Sequence, residues 1–407
     1  MAPGDDEVAS ATAGDETEVL DAWRDFCRRL EATGERVLGN DFPGAPEERV
    51  AAIEHLAGQA LCWTGWSVFH ADPRRPRFQR QNDPITPWGG PNADNVYRHA
   101  RVDAARRYRV RGRMRSCEDF MLAVRMGFMH QPRWGTVFEV AAHDLGIGRG
   151  DEFELVVGGA EPEDADGRWI PLPEGAAMVS FREYYFDWDA DEPATMTIEC
   201  LDDDVDVPAP RRGAAELAVR LAEAASGVEH SVEYWNRYLD EHRSENVDNA
   251  FAPPMKVTKG LAAARYGFLF WDLDDDEVLL VESDVPAAAY WSFMVYDLGT
   301  YELVDPLDRP TSLNHTQAVV DPDGRVRVVL APTDPGAPNW LDTGGRRCGQ
   351  LTFRWFWSDG DPAPSARVVA RDALFDALPA GTARVDPDAR RAVQRARREH
   401  LAWRFRT

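Results

Sequence analysis

Lysine is nearly absent from this chain of 407 residues: Lys256 and Lys259 are the only two, so almost every positive charge is an arginine. Positive charge is itself in short supply. Forty-six basic residues stand against seventy acidic ones, a net charge of −24, which repels nucleic-acid phosphates and anionic membrane surfaces. Neither nucleic acid nor membrane is therefore expected as a partner. Cysteine is scarce too: Cys27, Cys62, Cys117, Cys200 and Cys348 are odd in number, far apart and never in a C-x-x-C pair. That argues against a disulfide framework and fits small buried hydrophobes in a reducing cytosol, so a cytoplasmic location is expected. No apolar run approaches the roughly 18 residues of a membrane-spanning helix. The opening stretch "MAPGDDEVASATAGDETEV" has neither the basic residues nor the apolar core of a signal peptide.

The familiar reaction motifs are missing as well. There is no G-x-S-x-G, no H-E-x-x-H and no G-x-x-x-x-G-K. "GIGRG" (146–150) imitates a dinucleotide loop but leads into a strand, so it reads as a tight turn. The histidines show no metal-ligand spacing, and a zinc site would have to be assembled from distant residues. The acidic runs "DWDADE" (187–192), "DDDVD" (202–206) and "DLDDDE" (272–277) invite a cation. Asp187, Asp189 and Asp191 begin like a calcium loop, but Glu192 stands where glycine makes the sharp turn, and Ile198 where the last carboxylate belongs. These runs read as solvated turns; no metal and no cofactor are expected.

What is present is enough for two cores, since 407 residues with 44% hydrophobic composition exceed what one core usually serves. Residues 1–16 read as a disordered acidic lead-in. From Thr17 apolar residues recur at helical spacing, and 17–84 reads as a helical segment followed by a Pro/Gly/Asn-rich loop. Short alternating runs such as "RYRVRGR", "DEFELVVGG" and "TMTIECL" make 85–210 an antiparallel β region. Helical spacing returns through Leu217, Leu221, Val228, Val232, Trp235 and Leu239, giving a helical connection at 211–260. A second β region occupies 261–370, and a basic helix or tail, 371–407, is expected to dock on the acidic body. The fold class is α+β, mainly β: N-terminal helices and two antiparallel β-sandwiches with a helix between.

The two β regions read as distant copies of one plan. Trp169 precedes Arg182 in "WIPLPEGAAMVSFREYYFDW" much as Trp340 precedes Arg354 in "WLDTGGRRCGQLTFRWFW", and Asp151 and Asp323 open corresponding strands. Period-two alternation puts Phe353, Trp355 and Trp357 on one strand face, with Thr352, Arg354 and Phe356 on the other. The stretch "RPTSLNHTQAVVDPDGRVRVVLAPTDPGAPNWLDTGGRRCGQLTFRW" resembles the bacterial domain-of-unknown-function family 1214. The upstream "PNADNVY", "RYRVRGR" and "FREYYFDWDADEPATMTIECL" resemble the family 1254-like region that commonly precedes it. Together they span about 85 to 357. The resemblance implies jelly-roll-like sandwiches and supplies no activity or catalytic residue.

Three constellations could carry chemistry. In "PWGGPNADNVY", Trp88, Asn92, Asp94, Asn95 and Tyr97 set an aromatic wall beside short polar groups, as a small-molecule pocket does, or as Asx turns around a packing plug would. In "TSLNHTQAVV", alternation puts His315 and Gln317 on one face and Asn314 and Thr316 on the other; His315 is a candidate proton carrier, or a structural imidazole. Arg182 and Arg354 either pair with buried carboxylates or bind an anionic ligand, with Trp340 a loop anchor and candidate contact. Two functions follow. One is an enzyme without metal or nucleotide, acting on a small apolar or glycan-like metabolite with Asp94 or His315 as general acid or base. The other is a non-catalytic ligand-binding or assembly protein, a homo-oligomer.

Overall fold

The computed structural model describes residues 5–39, 46–163, 167–189, 192–203, 207–208, 211–252, 255–256, 264–360 and 362–405. Two helices open the chain, α1 (Asp5–Gly39) and α2 (Pro46–Thr64). Helix begins at Asp5 rather than at Thr17, so the part of the expected disordered lead-in from Asp5 to Glu16 is helical; residues 1–4 lie outside the described residues.

Nine strands follow: β1 (Gln79–Gln81), β2 (Asn95–Arg101), β3 (Tyr108–Arg113), β4 (Asp119–Gly127), β5 (Gly135–Ala141), β6 (Glu152–Val157), β7 (Trp169–Ile170), β8 (Met178–Tyr184) and β9 (Thr195–Cys200). After helix α3 (Ala214–Ser244) come β10 (Met255–Lys256), β11 (Ala264–Asp272), β12 (Glu277–Asp284), β13 (Ala288–Tyr296), β14 (Ser312–Asn314), β15 (Arg325–Ala331), β16 (Trp340–Asp342), β17 (Cys348–Ser358) and β18 (Ser365–Ala370). The short helix α4 (Leu374–Ala377) and the terminal α5 (Pro387–Phe405) complete the chain. The first β unit opens at Gln79, ahead of the expected 85, and β10 lies ahead of the expected 261.

Each unit is a two-sheet sandwich. The first has sheets in the order β1-β2-β8-β4-β5 and β7-β6-β3-β9; the second has β10-β11-β17-β13-β14 and β16-β15-β12-β18. Adding nine to every strand number of the first unit yields the second. Even the parallel exceptions agree, β6 with β7 and β15 with β16. In each, a tryptophan of the short strand ties back: Trp169 Nε1 donates to Gly158 O at 3.2 Å and Trp340 Nε1 to Ala331 O at 3.0 Å.

Alternation explains the cores. Phe120, Leu122 and Val124 of β4 meet Val110, Leu155 and Phe181 inside the first sandwich; Leu351, Phe353 and Trp355 of β17 meet Leu279, Val328 and Phe293 inside the second. Each fully buried side chain of this size contributes about 1.5–3 kcal/mol. The opposite face of β17 turns toward the other sandwich, and Met121 and Tyr184 pack there against Ala264, Tyr290 and Phe356. The expected alternation breaks at Trp357. Its φ of +50° turns the side chain out of the core, and its ring lies 5.3 Å from that of Tyr184.

Helix α3 buries Leu221, Val228, Val232, Trp235 and Leu239, a stripe at helical spacing. Its N-terminal part packs against α1, while Trp235 and Tyr238 close one end of the joint between the sandwiches. At its other side α5 is seated by buried Arg397, His400, Leu401, Arg404 and Phe405, with Arg397 Nη2 donating to Ser312 Oγ at 2.7 Å and the His400 ring stacked on Trp188. Among the described residues no helix is long and apolar enough to cross a membrane.

Candidate functional site

Where the two five-stranded sheets face each other under α3 lies a cavity of about 220 Å³. The symmetry of the fold builds it. Across β2 and β8 Tyr97 stands opposite Arg182; across β11 and β17 Tyr266 stands opposite Arg354. All four residues line the cavity, and a third guanidinium, Arg125 of β4, joins them. No Asp or Glu is among its lining residues. In a chain of net charge −24, a space faced by three cations and no acid is a marked local reversal.

The three arginines are held differently. Arg354 is buried, its Nη2 donates to Gly90 O at 2.8 Å and its Nη1 to Met294 Sδ at 3.2 Å, and the guanidinium lies 5.5 and 5.4 Å from the ring centres of Tyr266 and Tyr296. Arg182 rests 5.9 Å from the Tyr97 ring centre. Among the described residues neither Arg125 nor Arg182 has a hydrogen-bonded or ion-paired side-chain partner, and Arg125 is only 6% exposed. Burial, followed by the field of Arg182 and partly offset by Glu139, pulls Arg125 down to about 9. Beside them His99 donates or accepts at Nδ1 with Ser180 Oγ, 2.8 Å away, while its Nε2 is buried without a partner. Burial, then Arg125 and Arg182, holds this imidazole well below its ordinary range, hence neutral.

Further lining atoms lack partners: Trp88 Nε1, Trp235 Nε1, Asn92 Nδ2, Arg125 Nε, Tyr184 OH and Thr352 Oγ1. The first four can only donate. Buried donors left unmatched are costly, about 1–3 kcal/mol each. Aromatic rings from α3 and the second sandwich close the other side, with Trp235 5.6 Å and Tyr238 5.8 Å from Tyr301. Gly89 and Gly90 make this closure possible. At φ of +64° and +66°, an added Cβ would sit 2.6 Å from Trp235 and from Tyr301 respectively.

Of the residues singled out by sequence, Trp88, Asn92, Asn95, Tyr97, Arg182 and Arg354 line this cavity. Asn95 and Tyr97 sit on β2 rather than on a loop. Asp94 lies nearby but outside the lining, 1% exposed and saturated: its carboxylate accepts from Trp188 Nε1 and Asn314 Nδ2 at 2.8 Å and from Tyr290 OH at 2.6 Å. It ties the two sandwiches together. His315 and Gln317 do not share a strand face, because β14 ends at Asn314. The Asn314 carbonyl accepts from the Gln317 N–H and its side-chain oxygen from the Thr316 N–H, both at 3.0 Å, an Asx turn that displaces the ladder. His315 then packs among Phe186, Tyr290 and Trp291, Gln317 accepts from Asn314 N at 3.1 Å, and Trp340 sits at the start of β16, not in a loop, beneath Arg390. None of these lines the cavity.

Among the described residues no group of three His, Cys, Asp or Glu is placed to hold a metal. Of the acidic runs, Asp202 pairs with Arg107, Asp203 with Arg106, and Asp272 and Asp274 with Arg347; Asp191, Asp204 and Asp206 lie outside the described residues.

With this geometry in place, the comparisons with known proteins bear on half of it. Residues 272–360 match the model of the family described as protein of unknown function DUF1214. The DUF1214 segment contains β12 to β17 and so supplies Tyr301, Thr352, Arg354 and Phe356 to the cavity, while Arg125 and Arg182 lie outside it. The chain is similar to an uncharacterised protein of known structure from Burkholderia cenocepacia, with 28% identity and a TM-score of 0.80 over 88% of this chain and 99% of that one. A protein from Vibrio parahaemolyticus aligns over 78% of this chain and 98% of its own, at 13% identity and a TM-score of 0.45, too low to carry an argument. No curated protein matches the sequence.

Proposed function

We propose that the protein binds a small organic anion between its two sandwiches. One observation carries the reading: three arginines line a cavity without a single acidic residue. Arginine suits this role because its planar fork matches carboxylate and phosphate oxygens and keeps its charge when desolvated. The identical strand orders support an origin by duplication of a jelly-roll-like sandwich, with the ligand at the junction of the copies. Unpaired cysteines fit a cytoplasmic setting.

The test is thermal stabilisation by pools of anionic, neutral and cationic metabolites, on the wild type and on the Arg125→Met/Arg182→Met double variant. An anion present at 100 times its Kd adds about 2.7 kcal/mol of stability. Stabilisation by anions alone, lost in the double variant, is expected; a response confined to cations or neutral compounds would overturn the reading.

A second reading rests on His99, a neutral imidazole of the cavity lining whose Nε2 has no hydrogen-bond partner among the described residues. There it serves as proton acceptor toward the bound anion, taking over the acid–base role that the sequence suggests for Asp94 or His315. Turnover that persists unchanged in His99→Gln would remove it.

A further inference from the structure

The two copies are not equivalent at the cavity, and the differences follow a pattern. His99 stands opposite Ser180 in the first unit; the corresponding ladder position of the second holds Phe268, opposite Thr352. Arg125 stands opposite Met178, and its counterpart is Tyr296, opposite Gln350. Likewise Tyr184 of β8, opposite Asn95, corresponds to Phe356 of β17, opposite Ala264. At three positions facing the joint, the first copy is thus the more polar. The second copy also spends its own arginine internally, since Arg354 is taken up by Gly90 O, Met294 and the tyrosine faces. The uncommitted guanidiniums, Arg125 and Arg182, line the cavity within electrostatic reach of each other and of His99. Trp235, Tyr238, Phe268 and Tyr301 pack together as an aromatic cluster of the lining.

Size narrows the ligand further. A cavity of about 150 Å³ suffices for benzene, so 220 Å³ has room for one ring with a small charged group. Resting on the anion-binding reading, we infer that the cavity takes a one-ring aromatic monocarboxylate in a fixed orientation. Its carboxylate lies between Arg125 and Arg182, and its ring lies against Phe268 and the aromatic wall of α3. That wall offers a second carboxylate at most the Trp235 N–H and tyrosine hydroxyls and no uncommitted cation, so its charge would be buried uncompensated, at a cost of several kcal/mol. An uncharged ring would leave both arginines unmatched.

The experiment is calorimetric titration of the full chain with benzoate, phenylacetate, succinate, inorganic phosphate and benzyl alcohol. It is repeated on Arg125→Met, Arg182→Met and Phe268→Ala, each checked for folding by circular dichroism. Benzoate or phenylacetate is expected to bind at least about tenfold more tightly than the other three, a difference of about 1.4 kcal/mol. Either arginine variant should abolish that binding, while Phe268→Ala should weaken the ring acids and leave phosphate unaffected. Succinate or phosphate binding more tightly than either ring acid overturns the orientation and leaves the anion site standing. Benzyl alcohol binding as well as benzoate, or no anion binding at all, overturns both.

Discussion

Arg182 and Arg354 stand at the same ladder position of two sheets with the same strand order, each opposite a tyrosine, Tyr97 for one and Tyr266 for the other. Their surroundings separate them. Arg354 satisfies the Gly90 carbonyl and fills the space between Tyr266 and Tyr296, so Arg354→Leu strands an acceptor and opens a gap, a loss of about 2–4 kcal/mol. Arg182 has no such partner among the described residues, and Arg182→Leu is expected to change stability by less than about 1 kcal/mol while anion binding falls roughly tenfold or more. Urea unfolding alongside calorimetry checks both. Equal losses of stability would show that the arginines play the same part.

Arg125 gives a prediction of the opposite sign. A cation 6% exposed, without an ion pair among the described residues, is desolvated at a cost that the empty cavity does not return. Replacing such a charge by an apolar side chain of similar length is neutral or stabilising. Arg125→Met is therefore expected to raise the midpoint of chemical denaturation, by about 1–2 kcal/mol in stability, and to lose anion binding. A destabilised variant would mean that Arg125 holds the fold rather than a ligand.

Acid should unfold the protein through its buried imidazoles. His130 lies edge-on to Trp63 and parallel to Phe128, with neither ring nitrogen partnered. Burial, then His230 and Arg125, pushes it from 6.5 to about 3. Between these values the unfolded imidazole binds a proton and the folded one does not, so stability falls as pH drops through 6.5 and keeps falling toward about 3. His400, pushed down to about 3 by burial and the nearby Arg404 and Arg397, acts in the same direction. His130→Phe should flatten the fall of Tm between pH 7 and 4 without abolishing it, by at most about 1.4 kcal/mol per pH unit. A slope identical to wild type would remove His130 as a contributor.

Much of the architecture could be read from the chain because sandwiches advertise themselves through alternation and turn residues. The matched order of Trp169 and Arg182 with Trp340 and Arg354 pointed to two units that share a strand order. Part of the site was legible as well, through the "PWGGPNADNVY" stretch and the two arginines. His99, Tyr238, Tyr266 and Tyr301 were not singled out, because which strand face looks across the joint depends on how two sandwiches dock. Arg125 did leave a signal: it is a lone charge inside "DFMLAVRMG", a strand otherwise apolar after its first residue. His315 was misplaced because a side-chain turn at Asn314 overrode the strand periodicity.

Asp94 is the residue for which sequence and structure diverge most, and its substitution separates scaffold from site. Its carboxylate accepts from the Trp188 indole, the Asn314 amide and the Tyr290 hydroxyl. These three donors come from both sandwiches, and the field of Asp94 also supports the charges of buried Arg397 and Arg404 on α5. In Asp94→Asn a donating amide meets groups that themselves donate, and the two arginines lose a counter-charge, a cost of about 3–5 kcal/mol. The variant should melt well below wild type and release α5, seen as faster amide exchange from Arg397 to Phe405. At a temperature where it remains folded, it should bind anions as wild type does, because the cavity wall does not include Asp94. A variant with wild-type stability that has lost binding would return Asp94 to the site.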